Sequence, residues 1–175
     1  SGALDLRVHP ALVPTGDPLA HVDGALNAVA IQGEMVGPSF LSGLGAGAGP
    51  TATSVAGDII DIAKNSLAGA PVRKWHLPAE GEGEIQPIVD LSSRYYLRFS
   101  VQDESGVLAA LSGKLSDAGI SIEQMVQDVE SGDEGTATIA ILTHHCREGD
   151  VRASLAAIDE THLTTAPTHL IRIVE

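Results

Sequence analysis

A strict two-residue alternation runs along Tyr95–Gln102. Tyr95, Leu97, Phe99 and Val101 fall on one side; Tyr96, Arg98, Ser100 and Gln102 fall on the other. That pattern predicts a strand with one buried face. Asp-Glu-Ser-Gly interrupts it, with Ser105 as the expected N-cap. Leu108, Leu111, Leu115 and Ala118 then recur at helical spacing, and Gly119 stands where a helix should stop. Alternation returns at Ile120 and Ile122 and again at Thr136–Thr143, where Ile139 and Ile141 are expected to point inward; "SGDEG" between them reads as a hairpin turn. A second helix is predicted from near Asp150, burying Val151, Leu155 and Ile158. Beyond Pro167, Ile171 and Ile173 alternate with Arg172 in a last strand. The order β-α-β-β-α-β in about 80 residues predicts a ferredoxin-like α+β module, one four-stranded antiparallel sheet with two helices on a single face. The other face then needs a cover, from a second copy or from elsewhere in the chain.

The N-terminal pattern is less complete. Three prolines, Pro10, Pro14 and Pro18, keep the first segment irregular. "GALNAVAIQGEMVGPSFLSG" reads as two strands around a turn. A glycine-rich loop follows, and then a helix from Pro50 carrying Val55, Ile59 and Ile62 on one stripe and Lys64 in its last turn. Two strands and a helix make a poor core, so this partial α/β segment reads as part of something larger. The expected partition is residues 1–67, a Pro- and Glu/Gly-rich linker over 68–93, extended in part around Ile85–Leu91, and a module over 94–175. Trp75 is expected to pin the linker to a domain surface.

Composition removes several functions. The chain has 175 residues, 10 basic against 23 acidic groups, and a formal net charge of −13. So acidic a surface repels nucleic acid and anionic lipid. The single cysteine, Cys146, precludes an internal disulfide and suits a reducing, cytoplasmic setting. The uncharged stretch Met35–Gly57 is rich in glycine, proline and hydroxyl residues, and reads as no membrane span. No signal peptide is visible, and an opening Ser-Gly in place of Met reads as a start within a longer protein.

The loop "GLGAGA" satisfies a loose G-x-G-x-x-A pattern between a strand and a helix. No second parallel strand ending in an acidic ribose contact follows, and no Lys-Ser/Thr pair follows the glycines, so neither a complete dinucleotide fingerprint nor a P-loop is present. The residues alone leave two readings, a tight packing turn or a backbone approached by a ligand. His144, His145 and Cys146 are consecutive, so on a strand they diverge and are expected to hold no metal. Asp58 and Asp61 read as solvent-facing helix carboxylates.

A resemblance is more specific. "DPLAHVDGALNAVAIQGEMVG" followed by "GLGAGAGPTATSVAGDIIDIAK" is similar to the C-terminal end of the homoserine dehydrogenase catalytic unit, continuously from Asp17 to Lys64. "DESGVLAALSGKLSDAGISIEQMVQ" resembles the ACT-domain pattern, departing at Ser105 where that family usually has proline. Together the likeness covers Leu6 to Glu175. It implies an enzyme that interconverts L-aspartate 4-semialdehyde and L-homoserine with NADP or NAD in threonine, methionine and isoleucine synthesis. This chain would be its C-terminal portion, lacking the Rossmann fingerprint and the catalytic lysine. Lys64, Lys74 and Lys114 lie outside that lysine's context, so no catalytic residue, no bound cofactor and no activity are expected of the chain alone.

The resemblance further implies cofactor contacts at Gly45, Ala46 and Gly47. It implies an effector site at Asp103, Gly106, Val107, Leu108, Gln124 and Gln127, with a small amino acid, threonine first, as ligand. Asp103 either holds a ligand ammonium or caps the turn. Gln124 shares a face with Ile120 and Ile122 and is either a ligand contact or a buried edge group. The implied partners are further copies, in a homodimer or larger homo-oligomer through the ACT sheet and the N-terminal hairpin. A dimerisation module with an empty pocket is the alternative.

Overall fold

The computed structural model describes residues 3–69, 84–128 and 135–174. The chain divides into two compact units: Thr15–Glu82, and Ser1–Pro14 together with Gly83–Glu175.

In the first unit, β2 (Leu26–Gly33) and β3 (Gly37–Leu44) form an antiparallel hairpin in which Gly33 registers with Gly37. Gly37, at φ +76°, supplies the left-handed residue that closes so short a turn. Helix α1 (Ala48–Leu67) follows. It begins before Pro50, so the proline lies within the first turn, where its missing N–H costs nothing. None of these three elements contains a buried residue. The expectation of a poor core agrees with that.

The second unit is α+β. Its strands are β1 (Ala11–Leu12), β4 (Ser92–Gln102), β5 (Ile122–Asp128), β6 (Thr136–Thr143), β7 (Cys146–Arg147) and β8 (His169–Ile173), in the order β1-β8-β4-β6-β5 with β7 pairing β4. Helices α2 (Val107–Asp117) and α3 (Glu148–Asp159) supply Leu111, Leu115, Val151, Leu155 and Ile158 to a core with Tyr95, Leu97, Phe99, Val101, Ile139 and Ile141. The ferredoxin-like βαββαβ arrangement is therefore present. Each fully buried large side chain here contributes about 1.5–3 kcal/mol of transfer free energy.

Several local expectations change. The N-cap of α2 is Gly106 at φ +95°, with no side-chain capping bond, so Ser105 does not cap. Leu108 is exposed instead of packed. Helix α3 starts at Glu148, two residues before the expected Asp150. The register slips between Ile122 and Gln124, a β-bulge at Glu123. Ile122 and Met125 consequently both pack on the core although three residues apart, while Gln124 turns to the open face and is exposed. In β8 the inward residues are Leu170 and Arg172; Arg172 is buried and Ile171 and Ile173 only half-buried.

The first strand also redraws the expected boundary at residue 67. β1 pairs parallel with β8, and Leu4 bridges Ile85, so the N-terminal segment is held by the C-terminal sheet. Ile88–Asp90 forms a short 3-10 turn in the stretch expected to be extended. The "SGDEG" turn up to Glu134, Trp75 and Lys74 lie outside the described residues.

Candidate functional site

The residues singled out from the sequence fall into separate groups. Gly45, Ala46 and Gly47 form the exposed loop between β3 and α1. The Gly45 amide donates to the Ala25 carbonyl at 3.2 Å, closing the base of the hairpin. A β-carbon at Gly45 would sit 1.8 Å from Asn27 Nδ2, so the side-chain amide of Asn27 packs where a larger residue would be. Gly47 has φ +116°, a conformation L side chains avoid, and precedes a helix with no side-chain cap. Its carbonyl takes the Thr51 amide at 3.1 Å. This backbone demand alone accounts for glycine at 47; the space around it within the chain is open except for the Pro50 ring.

The second group is the turn from β4 into α2. The Asp103 amide donates to the Gly135 carbonyl at 2.9 Å and the Glu104 amide to the Gln102 carbonyl at 2.9 Å, which fixes the turn through its backbone. The Asp103 side chain is exposed and makes no hydrogen bond among the described residues, so it does not cap the turn. Gly106 is left-handed, and a β-carbon there would meet open space. Val107 is half-buried and Leu108 largely exposed. Asp103, Gly106, Val107 and Leu108 thus share one exposed turn at an uncapped helix start.

Gln124 and Gln127 do not join them within one chain. Gln124 registers with Leu142 and Gln127 with Ile139, positions on opposite faces of the sheet. Both glutamines are exposed, so Gln124 is no buried edge group.

Sequence reasoning missed two features. One is an open depression of about 780 Å³ beside the same turn, lined by Gln102, Glu104, Val107 and the strap His162–Thr165. The strap is held by the Thr165 amide on the Ser100 carbonyl at 2.8 Å. It carries no periodic pattern that would have flagged it.

The other is a buried charge cluster. Arg172 donates to the fully buried Glu148 carboxylate through Nε at 2.8 Å and Nη2 at 2.5 Å, and Arg152 adds a bond at 2.7 Å. Burial alone would push the Glu148 carboxyl up; the hydrogen bonds from Arg172 and Arg152 outweigh it and hold the group below its ordinary range. The Tyr95 hydroxyl is buried beside this carboxylate without a well-formed hydrogen bond, and burial followed by Glu148 raises its pKa well above the ordinary phenol. Parity with Leu170 in β8 was the signal that could have placed Arg172 inside.

No group of three metal-binding side chains occurs among the described residues. His144 and His145 are exposed, and burial pushes the Cys146 thiol up despite a Thr143 hydroxyl contact at 3.6 Å. Asp58 and Asp61 are exposed on α1. No described helix is long and apolar enough to cross a membrane.

Comparison with known proteins identifies both units. Residues 1–60 match the family model for homoserine dehydrogenase, and residues 95–162 match that for the ACT domain. A homoserine dehydrogenase from Neisseria gonorrhoeae is 40% identical over 174 residues, covering 97% of this chain and 40% of its own length. The chain belongs to the homoserine dehydrogenase family. A homoserine dehydrogenase from Pseudomonas aeruginosa is 35% identical over 173 residues, covering 97% of this chain and 40% of that protein. A crystal structure of a homoserine dehydrogenase from Thiobacillus denitrificans matches with a TM-score of 0.83 at 35% identity, covering 100% of this chain and 40% of that one. The chain therefore spans about 40% of the length of the homoserine dehydrogenases it matches. Within it, the glycine loop and hairpin belong to the homoserine dehydrogenase match, and the charge cluster and the Asp103 turn lie in the ACT unit.

Proposed function

We propose that this chain is the C-terminal, amino-acid-sensing portion of a cytoplasmic homoserine dehydrogenase. The whole enzyme interconverts L-aspartate 4-semialdehyde and L-homoserine with NADP or NAD, in threonine, methionine and isoleucine synthesis. The observation that carries this reading is the pairing, in one chain, of a hairpin–glycine loop–helix unit lacking any buried residue in its elements with an ACT unit that has a closed core. The first has apolar surface to give to a partner; the second is built to stand and to bind.

In this reading Gly45, Ala46 and Gly47 form one wall of the cofactor pocket, reached by backbone approach. The effector is a small amino acid, threonine first. Its carboxylate meets the uncapped start of α2 at Gly106, Val107 and Leu108, and its ammonium meets the unpaired Asp103 carboxylate. Gln124, exposed on the open sheet face, reaches the ligand from a second copy, whereas Gln127 lies on the opposite face of the same strand and does not join it there. The site is thus completed by homodimerisation through the ACT sheet, with the hairpin as a further contact. With 40% of the relatives' length, the chain alone is expected to turn over no substrate and to bind NADP negligibly, which calorimetry checks.

A thermal-shift series with threonine, isoleucine, methionine and lysine tests the sensing role. A specific rise in Tm with one amino acid, abolished by Asp103→Asn, is expected. A robust dimer that shifts with none of the four would assign the ACT unit to assembly alone.

A further inference from the structure

The chain leaves and re-enters its ACT unit along one row of the sheet. Ala11 of β1 registers with Arg172 and Leu12 with Ile173, while across β8 Arg172 registers with Tyr95 and Ile173 with Arg94. The Val174 amide donates to the Leu12 carbonyl at 2.9 Å. The returning segment is tied to the same N-terminal stretch. The Leu4 amide donates to the Glu84 carbonyl at 2.8 Å, the Gln86 amide to the Leu4 carbonyl at 2.9 Å, and Arg7 Nη2 to the Gln86 carbonyl at 3.1 Å. Both covalent connections to residues 15–82 therefore start from one corner.

One residue is bound into both sides of that corner. The Glu148 carboxylate holds Arg172, whose register partner is Ala11. The Glu148 amide donates to the Leu91 carbonyl at 2.8 Å, at the end of the returning segment. The next residue reinforces the grip: a β-carbon on Gly149 would lie 3.1 Å from the Val89 carbonyl, so the start of α3 is pressed onto the Ile88–Asp90 turn. Arg147 adds a bond to Asp90 at 2.7 Å.

We propose that this corner is a coupling joint latched by Glu148. While the latch holds, β1 and the returning segment move as one piece with the ACT sheet. When it opens, both are released together and the core stays folded. The energetics favour such a split. β1 is two residues long with Leu12 exposed, so little apolar burial holds it. Of the β4 core residues, Leu97, Phe99 and Val101 lie beyond the joint, and Tyr95 alone borders it. Segments with few buried contacts open locally at a fraction of the global cost. A buried carboxylate bonded to two arginines is either fully paired or strongly disfavoured, which makes the latch two-state. The joint holds whatever ligand the Asp103 turn accepts, so it is tested with no ligand present.

The test is native-state hydrogen exchange on the whole chain and on Glu148→Gln. The amides of Leu4, Gln86, residue 148 and Val174 report the joint; those of Leu97–Val101 and Ile139–Ile141 report the core. Glu148→Gln is expected to speed exchange at all four joint amides by roughly tenfold or more, in concert and through an opening that depends less on denaturant than that of the core, while the core amides stay the slower set. Arg152→Ala, which removes only the partly exposed partner, is expected to give a smaller rise at the same four and serves if Glu148→Gln does not fold. The proposal is overturned if the joint amides stay protected, if Val174 responds without Leu4 and Gln86, or if joint and core exchange through one opening with the same free energy and denaturant dependence.

Discussion

The two phenylalanines of this chain sit in opposite worlds. Phe99, in the middle of β4, is wholly enclosed beneath two helices; Phe40, in β3, is 40% exposed on a hairpin that shares no core. The same contrast runs through the units that hold them. In the ACT unit every apolar position predicted by alternation in β4 is at most 1% exposed. In the other unit Val29, Ile31, Leu41, Ile59 and Ile62 are all more than half exposed. Apolar content alone therefore does not make a domain. The ACT unit closes two layers over its stripe, whereas a hairpin and one helix have a stripe each and too little chain to shut them.

The largest effect that separates the units comes from truncating the two rings. Phe99→Ala is expected to destabilise the ACT unit by about 3–5 kcal/mol, the range for emptying a packed aromatic site. Phe40→Ala is expected to cost less, about 1 kcal/mol, since that ring is only partly covered and belongs to no closed core. Chemical denaturation followed by amide exchange in each unit reads the difference. Equal losses at the two sites would erase the distinction.

The next effect is confined to the ACT unit and depends on pH. Glu148 has a folded-state pKa held below its unfolded value, so its contribution is complete above about pH 4.5 and is lost as pH falls through the lower, folded value. The groups facing it are Arg172, Arg152 and Tyr95. Glu148→Gln is expected to cost on the order of 3 kcal/mol near neutrality, because Arg172 is left buried without its counter-charge. The gap between variant and parent is expected to narrow in acid, as the parent carboxylate also protonates. A gap constant from pH 7 to pH 3 would show that the charge is not what matters.

The smallest effect tests the two helix starts. Gly106 and Gly47 both hold positive φ, at +95° and +116°. Alanine at either is strained by about 1–2 kcal/mol. At Gly106 the strain is expected to appear as a lowered Tm of the ACT unit. At Gly47 it is expected to appear as faster amide exchange in the first turn of α1, with the ACT transition unmoved.

Much of this was legible from pattern. The strands and helices of the ACT unit followed from period, because each presents one face to a single core. Gly119 and the Gly-Pro start of α1 were readable because helix ends demand particular residues. Other parts were hidden for physical reasons. Arg172 looks outward beside two isoleucines, and only its pairing with Glu148, which is distant in sequence, lets it turn in. The bulge at Glu123 shifts parity within β5, so alternation traced from Ile120 assigns Gln124 to the wrong face. The added strand β1 is two residues long among prolines, too short for any periodicity. The turn at Asp103 was visible as a break, while the His162–Thr165 strap beside it has no pattern at all.

That same irregularity in β5 bears on how the molecule behaves when crowded. At the opposite margin of the sheet β8 is partly covered by the two-residue β1, which leaves β5 as the longer outer strand among the described residues. A straight, uninterrupted margin invites endless recruitment of copies into fibres. Here the strand swaps sides part-way, at Glu123, whose carboxylate is paired with Arg94, so a newcomer finds a kinked template. The misalignment of a single residue thereby works against open-ended pairing along this edge.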